Sequence, residues 1–244
     1  MSDLKKIFLE ETDSTNNYAK RISGEIKDDC LITAKKQTAG RGRTGRRFFS
    51  PEGGIYMSLL LHPCFPDGKT ERITLMAAVA VSRALEAVFA VKPKIKWVND
   101  IFLGGKKVCG ILSEGVYNPE KGGFDYAVLG VGVNLSLPEG GFPEEIKKIA
   151  GAVCETADLK QRQMFIDRFV SEFFDIYENG ADYMSEYKSR SFVLGKQIEY
   201  IKDGVKNKAV AVDITADGEL VVKENGKVYF LRSGEVKICV DSII

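Results

Sequence analysis

The chain has 244 residues, enough for one large domain or one domain with a small appendage, and 44% of them are hydrophobic, so a sizeable core can be buried. Its 35 lysines and arginines are balanced by 34 aspartates and glutamates, and the net charge of +1 argues against a basic protein that coats nucleic acid non-specifically. One histidine, His62, argues against a His-based triad or a multi-histidine metal centre, and five scattered cysteines (Cys30, Cys64, Cys109, Cys154, Cys239) without a C-x-x-C pair read as reduced thiols.

In chain order, "KIFLEE" predicts a short strand. "DSTNNYAKRI" follows as a helix capped by Asp13 or Ser14, and "CLITAKKQ" is a second strand. The stretch "TAGRGRTGRRF", Thr38 to Phe48, holds four arginines and three glycines and cannot form a buried element. "SPEGG" is a turn, and Ile55 to His62 is an apolar run of strand length that ends at the histidine. Thr70 to Ala90 is predicted helical, because Ile73, Ala77, Ala80, Ala84 and Val88 recur at spacings of three and four. "KIKWVNDIFLGGKKVCGILSEGV" reads as strand, turn and strand, with Gly104 and Gly105 in the turn. "FDYAVLGVGVNLS" is a further strand whose glycines would let a ligand approach the backbone. Gln161 to Tyr177 is an amphipathic helix with Phe165, Phe169, Phe173 and Tyr177 as a core stripe. Beyond Arg190 the pattern changes to short strands separated by "KDG", "ADG", "ENG" and "RSG" turns, which suggests a small antiparallel barrel or sandwich. The order of elements is α+β, with a boundary near residue 190 that separates residues 1–190 from 191–244. The N-terminus shows no signal-peptide hydrophobic stretch, and no segment approaches the roughly 20 apolar residues of a membrane helix, so a cytoplasmic protein without a membrane partner is expected.

The arginine-glycine stretch suits an anion. Gly40, Gly42 and Gly45 can turn backbone N–H groups inward, and Arg41, Arg43, Arg46 and Arg47 add forked cationic donors for carboxylate or phosphate. The spacing matches neither a P-loop nor a dinucleotide fingerprint. A second segment offers Lys96, Asn99, Asp100, Lys106 and Lys107 around a hairpin, residues able to orient phosphate and a metal ion.

Together these segments resemble the catalytic domain of biotin protein ligases. "GRGRTGRRFFSPEGGIYMSLLL" is similar to the family's biotinyl-adenylate loop. "KWVNDIFLGGKKVCGILSE" resembles its Lys-Trp-Pro-Asn-Asp segment and the Lys-Val-x-Gly-Ile-Leu run after it. "VLGVGVNLS" is similar to its Gly-Ile-Gly-x-Asn strand, and "TDSTN" to its N-terminal ligand-contacting turn. These motifs stand in the family's order over residues 12 to 136. Val98 stands where the family usually has proline, and Phe48 where it usually has tryptophan.

The resemblance implies a mixed and antiparallel sheet with helices, like the catalytic domain of class II aminoacyl-tRNA synthetases, followed by a small C-terminal SH3-like β-barrel. It implies ATP and biotin as substrates, Mg2+ carried mainly on the ATP phosphates, and no metal site built by the protein. The activity implied is formation of biotinyl-5′-AMP and transfer of biotin to a lysine of a biotin carboxyl carrier domain of a carboxylase such as acetyl-CoA carboxylase. Ser14, Thr15, Gln37, Gly40, Arg41, Lys107 and Gly110 would meet biotin. Arg43, Arg46, Phe48, Asn99 and Asn134 would meet the adenylate, with Arg43 and Lys107 catalytic by charge neutralisation. No DNA partner is expected, because the chain starts at the catalytic domain; a homodimer is consistent with the resemblance. A lipoate ligase of the same superfamily is the nearest alternative, and a nucleic-acid-binding module using the arginine-glycine loop is the alternative from another class.

Overall fold

A computed structural model describes residues 4–62, 70–120, 123–202, 204–232, 234 and 236–239. Cys64 and parts of the "KDG" and "RSG" turns, Asp203 and Ser233, lie outside them.

The N-terminal elements are β1 (Lys5–Thr12), α1 (Thr15–Ile22), β2 (Cys30–Gln37), β3 (Ile55–Leu61) and α2 (Thr70–Phe89). Next come β4 (Lys94–Lys96), β5 (Asp100–Leu103), β6 (Lys106–Asn118) and β7 (Gly123–Val133), then α3 (Leu159–Asn179) and α4 (Met184–Arg190). The seven strands form one mixed sheet in the order β1-β2-β3-β7-β6-β5-β4. Only β1 and β2 run parallel; the other neighbours are antiparallel.

Every residue of β3 is buried because both faces of the sheet are covered. Leu59 and Leu31 point to the face packed by α2, while Leu60, Cys30 and Ile32 point to the face packed by α1. The predicted phenylalanine stripe lies in the core: Phe165, Phe169 and Phe173 are fully buried, and Phe173 stacks on Tyr177 with centroids 5.2 Å apart. Helix α3 starts at a capping box between Asp158 and Gln161 and stops at Gly180 in the left-handed conformation. Arg83 joins three helices, reaching Glu172 of α3 at 3.0 Å and Glu186 of α4 at 2.7 Å.

The segment predicted as strand, turn, strand is three strands. β4 and β5 pair across a tight turn at Trp97–Asn99, and the Gly104–Gly105 turn then leads into β6. The short run Lys94–Lys96 was not separable by pattern, because three residues carry too little periodicity. The peptide bond between Trp97 and Val98 is cis.

After α4 come β8 (Gln197–Lys202), β9 (Val205–Ile214), β10 (Leu220–Glu224), β11 (Lys227–Leu231) and β12 (Val236–Ile238), an antiparallel sheet in the order β11-β10-β9-β8-β12. Its inner side chains, including Ala211, Ile214, Leu220 and Val222, join the same apolar core as Leu75 of α2. Polar ties cross the junction: the Trp97 indole N–H donates to the Gly218 carbonyl at 2.8 Å, and Arg72 pairs with Asp217 at 2.9 Å.

Candidate active site

The strand ends of the large sheet, the arginine-glycine loop and the start of α1 meet around a cavity of about 190 Å³. Ser14, Thr15, Gln37, Arg41, Arg43, Arg46, Phe48, Asn99, Lys107 and Gly110 all line it, so ten of the twelve residues nominated from sequence are brought to one place. Asn134 lies instead on an adjoining, more apolar cavity of about 730 Å³, walled by Phe49, Pro51, Phe142 and Ile146. Gly40 lines neither. It is buried behind the wall, where an added Cβ would stand 2.4 Å from the Ser50 hydroxyl. Gln37, Arg47, Phe48 and Lys107 border both cavities.

One end of the smaller cavity is a chain of fixed hydrogen bonds. Ser14 is the residue that caps α1, yet its hydroxyl makes no cap bond and Ser14 lines the cavity. Thr15 donates to the Gln37 carbonyl oxygen from its N–H at 2.8 Å and from its hydroxyl at 3.2 Å. The Gln37 amide donates to Ser50 at 2.9 Å, and Ser50 donates to the Phe48 carbonyl. The buried Ser58 hydroxyl lies 2.8 Å from the Thr15 oxygen and 2.6 Å from the Asn16 carbonyl oxygen. A polar set so closely satisfied holds its free edges in fixed directions, which suits a ligand with an amide-like head.

Glu114 anchors the arginine loop and was not nominated from sequence. Arg41 reaches it at 3.2 Å and donates to Asn17 at 2.9 Å; Lys20 pairs with it at 2.7 Å and Asn16 donates to it at 3.0 Å. Burial pushes the Glu114 carboxyl up, but the hydrogen bonds from Lys20 and Asn16 and the charges of Lys20 and Arg41 outweigh it and hold it below the ordinary carboxylate value.

The loop itself is a small closed turn. Arg41 bridges Arg47, the Gly42 amide donates to the Arg46 carbonyl at 2.7 Å, and Thr44 has positive φ inside a 3-10 turn over Arg43–Gly45. The Gly42 amide is therefore already engaged within the loop. Arg47 donates to the Thr38 carbonyl at 2.7 Å. Arg43 donates to the Asn99 side chain at 3.2 Å, and Asn99 in turn donates to the Ile111 carbonyl at 2.8 Å. Lys107 forms an ion pair with Asp100 at 2.6 Å. Lys106, the next residue in β6, points elsewhere and donates to the Lys147 and Lys148 carbonyls.

Gly110 of β6 and Gly130 and Gly132 of β7 admit the protein's own side chains rather than open space. Gly110 and Gly132 are cross-strand partners, and the Phe48 ring lies over both; a Cβ at Gly132 would stand 2.6 Å from the ring. Gly130 leaves room for the Asn16 amide, which a Cβ there would meet at 2.1 Å. Val236 of β12 and Gly234 just before that strand also line the smaller cavity, a contribution with no signal in the sequence motifs.

Among the described residues no cluster of three or more His, Cys, Asp or Glu could hold a metal ion, and Asp100 is the one carboxylate lining the smaller cavity. That donor set suits an ion that enters on a ligand's phosphates, with Asp100 as the side chain that would face it. The four described cysteines are free thiols, and no described helix is long and apolar enough to cross a membrane.

A family model for the biotin/lipoate A/B protein ligases matches residues 8–134. The chain is 39% identical over 156 residues to the bifunctional ligase/repressor BirA of Bacillus spizizenii, covering 63% of this chain and 47% of that relative, so the match spans about half the relative's length. It is 28% identical to the biotin–[acetyl-CoA-carboxylase] ligase of Mycobacterium tuberculosis, over 93% of this chain and 86% of that one. The fold matches the Aquifex aeolicus biotin protein ligase solved with biotin and ATP, with a TM-score of 0.78, 26% identity, and coverage of 96% and 98% of the two chains.

Proposed function

Because the chain belongs to the biotin/lipoate A/B protein ligase family, we propose that it is an ATP-dependent biotin protein ligase that makes biotinyl-5′-AMP and passes biotin to a lysine of a carrier domain. The observation that carries this reading is the wall shared by the two cavities, where Lys107 and Phe48 border both. Adenylation needs a carboxylate and an α-phosphate, two anions, brought into contact. A lysine at the junction is where their charge must be neutralised.

In this reading the polar cavity takes biotin. Ser14, Thr15 and Gln37 face its ring end, and Arg41, held by Glu114, closes the loop over it. The apolar cavity takes the adenosine, with Phe48 and Asn134 on its walls, while Arg43 and Arg46 meet the phosphates. The biotin carboxylate attacks the α-phosphorus, the bond to pyrophosphate breaks, and a mixed anhydride forms. Arg43 and Lys107 stabilise the charge that builds on the phosphoryl oxygens. Asn99 is a positioning residue, since it orients the Arg43 guanidinium. Mg2+ supplies further charge neutralisation when it arrives with ATP. In the second half-reaction a carrier lysine amine attacks the acyl carbon and AMP leaves. No side-chain nucleophile is required. Residues 1–190 would form the catalytic unit and 191–244 the terminal β module, with the protein acting in the cytoplasm on a biotin-dependent carboxylase.

The test is pyrophosphate release from ATP with biotin or with lipoate, followed by transfer to a carrier domain. Release with biotin and labelling of the carrier is expected. Release with lipoate alone would reassign the substrate, and release with neither would overturn the reading.

A further inference from the structure

The apolar cavity takes Phe142, Ile146, Ile149 and Ala150 of its wall from one surface segment. Its helical turn is marked by two bonds, from the Lys147 N–H to the Pro143 carbonyl at 2.9 Å and from the Ala150 N–H to the Ile146 carbonyl at 2.7 Å. None of residues 139–150 is buried, so packing in the core does not fix where this wall stands. Gly140 and Gly141, both with positive φ, lead into it.

The turn is fastened to the sheet at two adjacent residues of β6. The Lys107 N–H donates to the Ile149 carbonyl at 2.8 Å, and the Gly151 N–H donates to the Lys107 carbonyl at 2.9 Å. The second bond removes the N–H that would meet the Lys147 carbonyl in a continued helix. Lys106 supplies a donor in its place. Its ammonium reaches the Lys148 carbonyl at 2.7 Å and the Lys147 carbonyl at 3.3 Å. A cation at the carbonyl end of a helical turn is favourable. The stem of this lysine lies against Gly151, where an added Cβ would stand 2.5 Å from the Lys106 Cβ.

We propose that Lys106 is a positioning residue for the nucleotide: it holds this turn against β6 and thereby sets the affinity for ATP. Lys106 itself lines neither cavity, so it acts through the wall. The inference rests on the assignment of the apolar cavity to adenosine. The two neighbouring lysines divide the work by strand alternation. Lys107 brings charge to the junction of the cavities, and Lys106 fixes the apolar surface against which the nucleotide packs.

Pyrophosphate release at saturating biotin, with ATP varied, tests this on the wild type, Lys106→Ala, Lys106→Arg and Gly151→Ala. Lys106→Ala should raise the KM for ATP about fivefold, the upper range for a cation on exposed helix-end carbonyls. Its kcat and biotin affinity should stay within about threefold of wild type. Lys106→Arg keeps a donor for both carbonyls and should restore most of the ATP affinity. Gly151→Ala crowds the same stem and should raise the KM for ATP in the same direction. Amide hydrogen exchange at Ile149 and Ala150 should be faster in Lys106→Ala and slowed by ATP. An unchanged KM for ATP in an otherwise active Lys106→Ala overturns this proposal alone. So does a loss of kcat and biotin affinity as large as the rise in KM, or an arginine that restores nothing. A wild type that turns over neither biotin nor lipoate overturns the functional reading, and this proposal with it.

Discussion

Lys107 and Lys106 are adjacent in β6 and have opposite surroundings. Lys107 stands at the junction of the two cavities, paired with Asp100, whereas Lys106 caps carbonyls of the Lys147–Lys148 turn. Lys107→Ala removes a charge-assisted contact worth roughly 1.5–3 kcal/mol, about a ten- to hundredfold loss. The loss should appear both in biotin affinity and in the rate of pyrophosphate release. Lys106→Ala should leave biotin affinity within about threefold, since it loses only exposed bonds to backbone. Isothermal titration and a pyrophosphate assay on both variants check this, and equal losses would refute the assignment. Glu114 gives a pH signature. Its folded pKa lies below its ordinary value of 4.5, so the stability from its ionised network is complete above that pH and is lost as pH falls through the lowered folded pKa. In thermal melts from pH 6 down to about pH 3, bracketing the ordinary range, the wild type should lose stability more steeply than Glu114→Gln. Parallel profiles would mean the carboxylate contributes nothing through its charge. Glu114 shows how far residue-level reading reaches. Arginines and glycines gathered in one loop announce an anion site, but the carboxylate that holds Arg41 lies 73 residues away along the chain. Only the pairing of β6 with β7, and the packing of α1 on the sheet, bring it there.

At the scale of elements, Gly130 and Gly132 of β7 do different work. At Gly130 a methyl group would collide with Asn16, which is fixed by Ser58, Leu112 and Glu114 and has nowhere to go. Gly130→Ala should cost roughly 1–3 kcal/mol of stability. At Gly132 the methyl group would meet the Phe48 ring, which borders open cavity and can swing aside. Gly132→Ala should therefore change stability by less than about 1 kcal/mol, as an overpacking that can relax, yet weaken biotin or ATP binding measurably. Urea denaturation and ligand titration separate the two; a reversed order would show that the ring is the more rigid partner. The long helices were legible because their apolar residues repeat at three and four, and β3 because it is an apolar run of strand length. The glycines were legible as points of close approach. What approaches them was not, because a cross-strand neighbourhood is set by register, and register leaves no period in the sequence of one strand. Helix α4 was missed for a related reason: seven polar-rich residues with one buried tyrosine, Tyr187, show no stripe.

Across the whole molecule, the second sheet is fastened by the Trp97 indole on Gly218 and by a shared core, and it lends Val236, with Gly234 just before that strand, to the site. Trp97→Phe keeps most of the apolar surface but strands the buried Gly218 carbonyl, costing roughly 1–3 kcal/mol. Because Trp97 lies two residues from Asn99, adenylation should fall as well. Denaturant melts alongside pyrophosphate release check this, and full stability with normal activity would show that the docking bond is dispensable. The change from long elements to short strands and repeated turns made a second β unit visible in sequence. Its share of the cavity wall was invisible, since nothing in Val236 distinguishes a core valine from one that faces a ligand. The partition between the cavities has a thermodynamic consequence. A molecule in either cavity that displaces the Phe48 ring or draws on the Lys107 charge alters the affinity of the other. Linkage makes that coupling reciprocal: whatever factor the first ligand confers on the second, the second confers on the first. The two binding isotherms are then one surface, and the order of filling changes how fast that surface is reached but not where it ends.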